Sequence, residues 1–499
     1  MTKTYVIALD QGTTSSRALL IDRAGAVVDV AQRDFPQIFP KPGWVEHNPA
    51  DILDSQLTAL KELVTRNGLK SCDVEAIGIA NQRETTIIWD RKTGQPIYNA
   101  IVWQCRRTAE AMEELAAQPG VPVMFAQKAG LLPDAYFSAS KIQWILEHVA
   151  GSRERASAGE LAFGTVDSWL LWNLTDGAVH ATDFTNASRT LLFNIHDLTW
   201  DEELLDLFNV PRPMLPEVKP SASHYGLMSD STCLPGVPIC GVAGDQQAAL
   251  FGQCCFKVGQ AKNTYGTGCF LLMNTGTTPH RSKHNLITTL TATAPGAPYP
   301  EYALEGSVFM GGALMQWMRD GLGLLDNVAD SADIAASVPD TGGVAIVPAF
   351  TGLGAPHWDG EARGVICGIT RGTNASHIIR AALEAIAFQV YELARAMEAD
   401  AGGQLNLLNV DGGASQNDFL MQFQADLLNC FLKRPQNQET TALGAAYLAG
   451  LFQGFWDSVE ELESLRSDDD VFVSGIDDEK RKALTDHWDD AIQRCLYRP

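Results

Sequence analysis

Short apolar runs separated by polar turns open the chain and predict β-strands. Residues 5–9 form a β-branched apolar run that is typical of a buried strand. This run enters a turn rich in glycine and hydroxyl groups at 10–17, and further apolar runs follow at 18–22 and 26–30. The pattern predicts a three-stranded meander, not the strand-to-helix phosphate loop of P-loop proteins.

A similar pattern returns in the second half of the chain. Residues 259–263 lead into a Gly/Thr turn at 264–268, and the apolar run 269–273 carries the chain away. Each turn either offers N–H and O–H donors to a phosphate or is simply a turn. Two such hairpins, one early in each half, indicate a duplicated domain. We place the boundary near Gly252, which predicts domains at 1–252 and 253–499.

Strands and helices alternate along the rest of the chain. The strands are predicted at 76–80, 242–245, 344–349 and 405–410, and the helices at 246–251, 419–428 and 441–450. Near the end, Leu484, Trp488 and Ile492 recur every four residues, which predicts a closing amphipathic helix. This alternation predicts an α/β fold with mixed sheets.

The composition is that of a globular enzyme large enough for two domains. The chain has 499 residues, of which 45% are hydrophobic and 19% are charged. Its net charge of −23 argues against a nucleic acid or an anionic membrane as partner, since either needs a basic face. A phosphate ligand remains compatible with this charge, because backbone N–H groups and a bound metal hold phosphates in acidic proteins.

The cysteines and the N-terminal region point to a reducing compartment. The ten cysteines include no Cys-x-x-Cys pair and no Cys/His set at metal-binding spacing. The apolar run at 5–9 is too short for a signal core and meets Asp10 at once. No stretch approaches the roughly 20 apolar residues that span a bilayer. We therefore expect a cytoplasmic protein without an integral membrane segment.

Two aspartates stand where a phosphoryl-transfer site needs carboxylates. Such a site needs donors for the phosphates, a metal held by a carboxylate, and a base beside the acceptor hydroxyl. Asp10, at the mouth of the first turn, either faces a magnesium ion through water or only initiates the turn. Asp245, at a predicted strand-to-helix junction, is either the base or the helix N-cap, and the two roles are compatible.

A polar block at 81–84 ends the strand predicted at 76–80. Polar clusters at strand ends point into the crevice where α/β proteins bind ligands. Arg83 and Glu84 either supply donors and acceptors for vicinal hydroxyls or form a surface ion pair. Trp103 and Tyr136 either line the same pocket or belong to the core.

Residues 411–417 join a predicted strand to a helix through two glycines. Gly412 and Gly413 would let the backbone approach a ligand closely, although Asp-Gly is also an ordinary turn. Asn417 either contacts an adenosine or caps the helix that follows.

With these residues in view, the sequence resembles the FGGY family of carbohydrate kinases over nearly the whole chain, from about residue 5 to residue 454. Both general signatures of that family match, one at 136–148 and the other at 364–384. The likeness is also carried by long specific runs at 8–17, 81–86, 98–107, 243–252 and 263–270. The runs around the polar block and Trp103 look like those of family members that phosphorylate glycerol.

The resemblance implies two ribonuclease-H-like domains of the actin/hexokinase type, with mixed sheets and a cleft between them. It implies phosphorylation of glycerol by ATP to sn-glycerol 3-phosphate, with Asp245 taking the proton and Mg²⁺ held by Asp10 through water. It implies a homodimer or homotetramer, since relatives form both. The implied glycerol contacts are Arg83, Glu84, Trp103, Tyr136, Asp245, Gln246 and Phe270. The implied ATP contacts are Thr13, Thr14, Ser15, Arg17, Thr267, Gly312, Gln316, Gly413 and Asn417.

Two other functions are compatible with the implied fold. An actin-like or chaperone-like ATPase needs both phosphate-binding turns but no polyol pocket and no base, so the polar block and Asp245-Gln246 count against it. Another sugar kinase of the family, such as a pentulose kinase, differs in its acceptor, which the fold does not determine.

Overall fold

The structure is a computed structural model that describes residues 4–297, 299–350, 352–466 and 469–497. The strands are β1 (Tyr5–Gln11), β2 (Ser15–Asp22), β3 (Val27–Asp34), β4 (Glu46–His47), β5 (Val74–Asn81), β6 (Ile87–Asp90), β7 (Ala100–Ile101), β8 (Leu161–Gly164), β9 (Ala181–Asp183), β10 (Phe193–Asn194), β11 (Thr199–Trp200), β12 (Glu217–Lys219), β13 (Ala222–Leu227), β14 (Pro238–Gly244), β15 (Ala261–Tyr265), β16 (Cys269–Gly276), β17 (Ile287–Leu290), β18 (Tyr302–Val308), β19 (Ala345–Val347), β20 (Val365–Cys367), β21 (Leu407–Asp411), β22 (Phe431–Arg434) and β23 (Asp470–Phe472).

The α-helices are α1 (Pro49–Arg66), α2 (Ala109–Ala116), α3 (Val121–Lys128), α4 (Ser138–His148), α5 (Ser152–Ser157), α6 (Val166–Leu174), α7 (Phe184–Ala187), α8 (Glu202–Leu207), α9 (Asp245–Gly252), α10 (Gly312–Asp320), α11 (Ser331–Ala336), α12 (Ala375–Ala401), α13 (Asp418–Leu428), α14 (Thr440–Gln453), α15 (Val459–Ser464) and α16 (Asp478–Leu496). Among the described residues, no helix combines the length and the apolar character that crossing a bilayer requires.

The chain divides into two compact units, and the first comprises Met1–Phe256, Thr288–Tyr302 and Glu439–Leu465. Its main sheet has the strand order β13-β14-β5-β1-β2-β3. β5 runs parallel to β1 and β14, while β2, β3 and β13 pair antiparallel with their neighbours. The carboxyl ends of β1, β5 and β14 therefore meet at one edge of this sheet.

The helix α14 packs on this sheet at very short range. A Cβ at Gly78 on β5 would lie 2.0 Å from the carbonyl oxygen of Ala445. A Cβ at Gly444 would lie 1.8 Å from the carbonyl oxygen of Ala248 on α9. Any side chain at either glycine would collide with backbone, so both positions require glycine. The small-residue helix predicted at 441–450 is confirmed, and its small residues allow this approach.

The second unit comprises Lys257–Ile287, Ala303–Gln438 and Arg466–Pro499. Its main sheet has the order β17-β18-β16-β15-β21-β22-β23. β15 pairs antiparallel with β16 and parallel with β21, and β21 pairs parallel with β22. In its core Phe388 of α12 stacks on Trp488 of α16, with ring centroids 5.0 Å apart. The closing amphipathic helix predicted from the four-residue repeat is thereby confirmed.

The two main sheets share one plan. The first sheet contains the hairpin β1-β2 with β3 beside β2. The second sheet contains the hairpin β15-β16 with β18 beside β16. Each sheet then continues from the first hairpin strand through two parallel strands (β5 and β14, or β21 and β22) to an antiparallel strand (β13 or β23). This repetition confirms the predicted α/β fold with mixed sheets and the duplication that the two hairpins indicated.

Candidate active site

The carboxyl ends of β1, β5 and β14 bring three predicted segments together in the first unit. Gln11 at the end of β1 pairs with Asn81 at the end of β5, and Asn81 pairs on its other side with Gly244 at the end of β14. Arg83 and Glu84, which follow β5, are 3% and 1% exposed. This burial excludes the surface ion pair as an account of these two residues.

Asp245 lies against Arg83. The Nε atom of Arg83 is 3.2 Å from Oδ1 of Asp245, and Nη1 of Arg83 donates to Oε1 of Gln247 at 3.2 Å. The N-cap of α9 is Gly244, so Asp245 is the first helical residue and not the N-cap. Its side chain is 33% exposed, whereas that of Arg83 is 2% exposed. Gln246 follows it on the helix and is buried.

Glu84 is hydrogen-bonded both at its backbone carbonyl and at its carboxylate. Its backbone φ is 60°, in the left-handed region that non-glycine residues seldom adopt. Ser138 Oγ donates to the carbonyl oxygen of Glu84 at 3.0 Å, and Arg189 Nε donates to Oε1 at 2.6 Å. Strained backbone of this kind persists where the surroundings hold it, and it is frequent at functional sites.

Trp103 and Tyr136 lie together, and Trp103 reaches the first turn. The two rings meet edge to face with centroids 5.5 Å apart, and Trp103 Nε1 donates to Thr13 Oγ1 at 3.1 Å. Lys141 Nζ donates to the carbonyl oxygen of Tyr136 at 2.6 Å, and burial lowers the pKa of Lys141 to about 7. Both aromatic residues are half-buried, so they are not simple core residues.

The first hairpin carries a buried carboxylate opposite an arginine. Asp10, which is 4% exposed, pairs across the hairpin with Arg17. Arg17 Nε donates to Oδ2 of Asp10 at 3.1 Å, and Nη1 donates to Glu439 at 2.5 Å. Attraction to the Asp10 carboxylate raises the pKa of Arg17. Asp10 therefore does more than initiate a turn.

The turn of this hairpin presents hydroxyl groups. It is closed by a bond from the N–H of Gly12 to the carbonyl oxygen of Ser15, at 2.9 Å. Thr14 at its tip is exposed, and Thr13 and Ser15 are half-exposed. The turn thus leaves side-chain and backbone groups accessible to a ligand.

In the second unit, three backbone segments meet around Thr267. The N–H of Gly311 donates to the carbonyl oxygen of Thr267 at 2.9 Å, and that of Gly312 donates to the oxygen of Gly266 at 2.8 Å. A Cβ at Gly312 would lie 2.9 Å from that Gly266 oxygen and 3.7 Å from the Cβ of Ala414. The second Gly/Thr turn, the start of α10 and the Gly-rich loop before α13 are therefore neighbours.

The other residues of the second unit that were predicted to contact ligand lie on different elements. Gly413 is exposed, with nothing within 4 Å of a Cβ built there, and Gln316 is exposed on α10. Asn417 caps α13, because its side chain accepts from the N–H of Leu420 at 2.9 Å. Phe270 is half-buried on β16, whereas the other predicted glycerol contacts belong to the first unit.

Sequence reasoning missed a mostly polar segment at 183–189 that supports the site; we call this segment the brace. Thr185 Oγ1 accepts from the N–H of Gly244 at 2.8 Å, and Asn186 accepts from the side chain of Asn81 at 2.9 Å. Arg189 reaches Glu84. The polar composition of the segment was the available signal, but it is equally typical of an exposed loop.

Comparison with known proteins identifies the family of this chain. Residues 5–252 match the N-terminal domain, and residues 261–452 the C-terminal domain, of the FGGY family of carbohydrate kinases. A glycerol kinase of Caldanaerobacter subterraneus subsp. tengcongensis is 56% identical over 99% of this chain and 98% of its own length. A glycerol kinase of Shewanella baltica is 57% identical over 99% of each chain.

Solved structures agree with these sequence matches. The crystal structure of Plasmodium falciparum glycerol kinase with ADP is 39% identical, with a TM-score of 0.94 and 99% of each chain covered. Gluconate kinase from Lactobacillus acidophilus has a TM-score of 0.88 at 22% identity, over 99% of this chain and 98% of its own, and is similar in fold alone. This chain belongs to the FGGY family of carbohydrate kinases.

Proposed function

We propose that the chain transfers the γ-phosphoryl group of ATP to glycerol and releases ADP and sn-glycerol 3-phosphate. Relatives that are 56% and 57% identical over 99% of the chain are glycerol kinases. The observation that carries the proposal is the 3.2 Å contact between Arg83 and Asp245 at the end of β5. It places a multi-donor cation beside a partly exposed carboxylate in surroundings that are otherwise buried.

The proposed glycerol contacts supply a donor or an acceptor for each hydroxyl. Arg83 donates through its guanidinium, and the Glu84 carboxylate accepts. The hydroxyl of Tyr136 and the amide of Gln246 complete the polar contacts. The apolar faces of Trp103 and Phe270 would contact the carbon chain of glycerol.

Asp245 is the proposed general base. Its exposed fraction of 33% leaves it accessible to substrate, and its place in the first turn of α9 favours a negative charge. Asp245 would accept the proton of a primary hydroxyl while that oxygen forms a bond to the γ-phosphorus. The bond from the γ-phosphorus to the bridging oxygen breaks, ADP takes that electron pair, and Asp245 later releases the proton to solvent.

The nucleotide contacts that we propose lie on the two Gly/Thr hairpins, on α10 and on the loop before α13. Hydroxyl and N–H groups of the first turn, with Arg17, would bind phosphate oxygens. In the second unit, the opening beside Gly413 would admit the nucleotide close to backbone. The full set is Thr13, Thr14, Ser15, Arg17, Thr267, Gly312, Gln316, Gly413 and Asn417.

Asp10 suits the Mg²⁺ ion that phosphoryl transfer from ATP requires. Oδ2 of Asp10 accepts from Arg17, so a water-mediated contact to the metal would use Oδ1. Carboxylate oxygens and water are the ligands that Mg²⁺ prefers. When bound, the ion neutralises charge on the phosphates.

Three further assignments accompany this function as proposals. We keep the domain division of the sequence at 1–252 and 253–499, which the family matches at 5–252 and 261–452 support. The compact units differ from this division in that 288–302 and 439–465 belong to the first unit. The ten cysteines are all free thiols, which supports a cytoplasmic location, where thiols stay reduced and ATP is supplied. A homodimer or homotetramer remains a prediction, which sedimentation of the purified protein tests.

An acceptor panel tests the proposed function. ADP release is measured with ATP and Mg²⁺ in the presence of glycerol, xylulose, gluconate or no acceptor. We expect release with glycerol to exceed every other arm by about a hundredfold or more, and the product to be sn-glycerol 3-phosphate. Preference for xylulose or gluconate would assign another sugar kinase, and equal release without an acceptor would assign an ATPase.

A further inference from the structure

A buried arginine outside the predicted site contacts two of its members. The side chain of Arg189 is 0% exposed, and its Nε donates to Oε1 of Glu84 at 2.6 Å. The guanidinium also lies over the ring of Tyr136, 5.5 Å from its centroid, and over that of Phe137 at 5.4 Å. One cation therefore joins the carboxylate and the phenol that we propose as glycerol contacts.

Arg189 is well placed to hold Glu84 in one orientation. The brace that carries it also contacts the ends of β5 and β14, through Asn186 to Asn81 and through Thr185 to Gly244. These contacts fix the position of Arg189 relative to the site. Because the guanidinium is planar and its donors have set directions, it fixes the direction of a bound carboxylate as well as its charge.

The energetics of a buried carboxylate explain why Glu84 needs such a partner. Glu84 is 1% exposed, and a buried charge is costly unless it is paired and hydrogen-bonded. Its left-handed backbone, with φ at 60°, adds strain that surrounding contacts must offset. Arg83 Nε also lies near Oε1 of Glu84, but at 3.9 Å. Loss of Arg189 would therefore remove the shorter of these two contacts and would take away the cation over the ring of Tyr136.

We propose that Arg189 is a positioning residue for the acceptor, which acts through Glu84 and Tyr136 without touching glycerol. The proposal rests on the proposed function, since it concerns the same pocket. It specifies that Arg189 sets affinity for glycerol and leaves affinity for ATP unchanged. A purely structural role would instead lower the stability of the fold and affect both substrates alike.

The test compares Arg189→Lys and Arg189→Met with the full-length wild type. Arg189→Lys keeps the charge and most of the volume but lacks the planar, forked arrangement of donors that a guanidinium has. It therefore provides a folded variant even if Arg189→Met fails to fold. We expect Arg189→Lys to raise KM for glycerol about tenfold or more, with KM for ATP within about twofold. Equal changes in both constants, or no change in either, would overturn the proposal.

Arg107→Lys is the matched control. The side chain of Arg107 is also 0% exposed, donates to Glu46 at 2.5 Å and lies over Trp44, 3.9 Å from the ring centroid. In the described part of the chain, its hydrogen bonds, ion pair and ring contacts involve Glu46, Tyr98, Cys105, Trp44 and Trp144, none of which is a proposed glycerol contact. Its replacement by lysine should lower the melting temperature and leave KM for glycerol within about twofold of wild type. A matching rise in KM for glycerol would mean that any buried arginine in this unit has the same effect.

A double mutant shows whether Arg189 acts through Glu84. Because the contact with Tyr136 remains in that background, we expect Glu84→Gln combined with Arg189→Lys to lose less kcat/KM for glycerol than the two single losses multiplied. If the two losses multiply, Arg189 acts independently of Glu84 and the proposal falls. Wild type in the same assay distinguishes failure of the proposed function from failure of the Arg189 proposal. Absence of glycerol phosphorylation by wild type would contradict the proposed function, whereas the Arg189 proposal is judged from the variants relative to an active wild type.

Discussion

Arg83 and Asp245 meet at short range, with 3.2 Å between Nε of Arg83 and Oδ1 of Asp245. Arg83 follows the end of β5, and Asp245 is the first residue of α9 after β14. The contact therefore joins the ends of two neighbouring parallel strands. It also restrains the carboxylate that we propose as base, while a third of that side chain stays exposed.

Replacing Arg83 by alanine should weaken glycerol binding selectively. Removal of a buried donor leaves its partners unpaired, at a cost of roughly 1–3 kcal/mol for each group. We expect KM for glycerol to rise about tenfold or more, with a smaller change in KM for ATP. Steady-state kinetics with each substrate varied in turn measures both constants.

Arg66→Ala provides the control for that substitution. Arg66 pairs with Asp29 at 2.7 Å, and its side chain is 45% exposed. An exposed ion pair contributes at most about 1 kcal/mol to stability, so both KM values should stay at their wild-type levels. Unchanged glycerol saturation in Arg83→Ala as well would remove Arg83 from the pocket.

Two glycines in the second unit should respond to alanine in different ways. A Cβ at Gly312 would lie 2.9 Å from the oxygen of Gly266, so Gly312→Ala should destabilise the unit by roughly 1–3 kcal/mol and raise KM for ATP. Gly413 has open space, so Gly413→Ala should keep its stability within about 0.5 kcal/mol of wild type and still raise KM for ATP. Denaturant unfolding and ATP kinetics test both; an unchanged KM in Gly413→Ala would exclude Gly413 as a nucleotide contact.

Asp167 should make stability depend on pH. Burial raises the pKa of this carboxyl from 3.8 to about 7, although Thr182 donates to it at 2.6 Å. The folded state thus binds more protons than the unfolded state between about pH 4 and pH 7, so this group's contribution to stability falls as pH rises through that window. Asp167→Asn should match wild type near pH 4 and exceed it at pH 8, by a difference of order 4 kcal/mol.

Asp90→Asn is a control of opposite sign. Asp90 is partly exposed, and hydrogen bonds from the backbone of Thr93 lower the pKa of its carboxyl. Its contribution is present above its unfolded pKa and is lost as pH falls through the folded one. Asp90→Asn should therefore be less stable than wild type at pH 8 and approach it in acid. Urea unfolding from about pH 2 to pH 8 measures both, because the Asp90 window lies below its ordinary pKa of 3.8. Parallel curves for Asp167→Asn and wild type would contradict the assignment.

Local patterns made the hairpins and the strand-end residues predictable. Apolar runs bounded by Gly/Thr turns depend on neighbours in sequence, and both hairpins form where those runs predicted them. The position of the polar block was also visible, because it directly follows the apolar run of β5. The start of α9 at Asp245 lies one residue before the predicted helix.

The features that escaped prediction depend on contacts between distant segments. α14 packs on β5, more than 350 residues earlier in the sequence, and nothing in its own composition identifies that partner. The brace is mostly polar, yet the side chain of Arg189 is fully buried because it contacts Glu84 and two aromatic rings. Whether a charged side chain is buried depends on whether the fold provides a residue to pair with it, and a single sequence does not reveal that residue.

The most direct test of the account is the turnover of Asp245→Asn with glycerol. Asparagine keeps the shape of the side chain but cannot take the proton, and a positioned base is worth roughly 10²–10⁴ in rate. We predict a fall in kcat of at least about a hundredfold, with the melting temperature and ATP affinity close to wild type. A variant that retains about a third of wild-type kcat would contradict the assignment of Asp245 as general base.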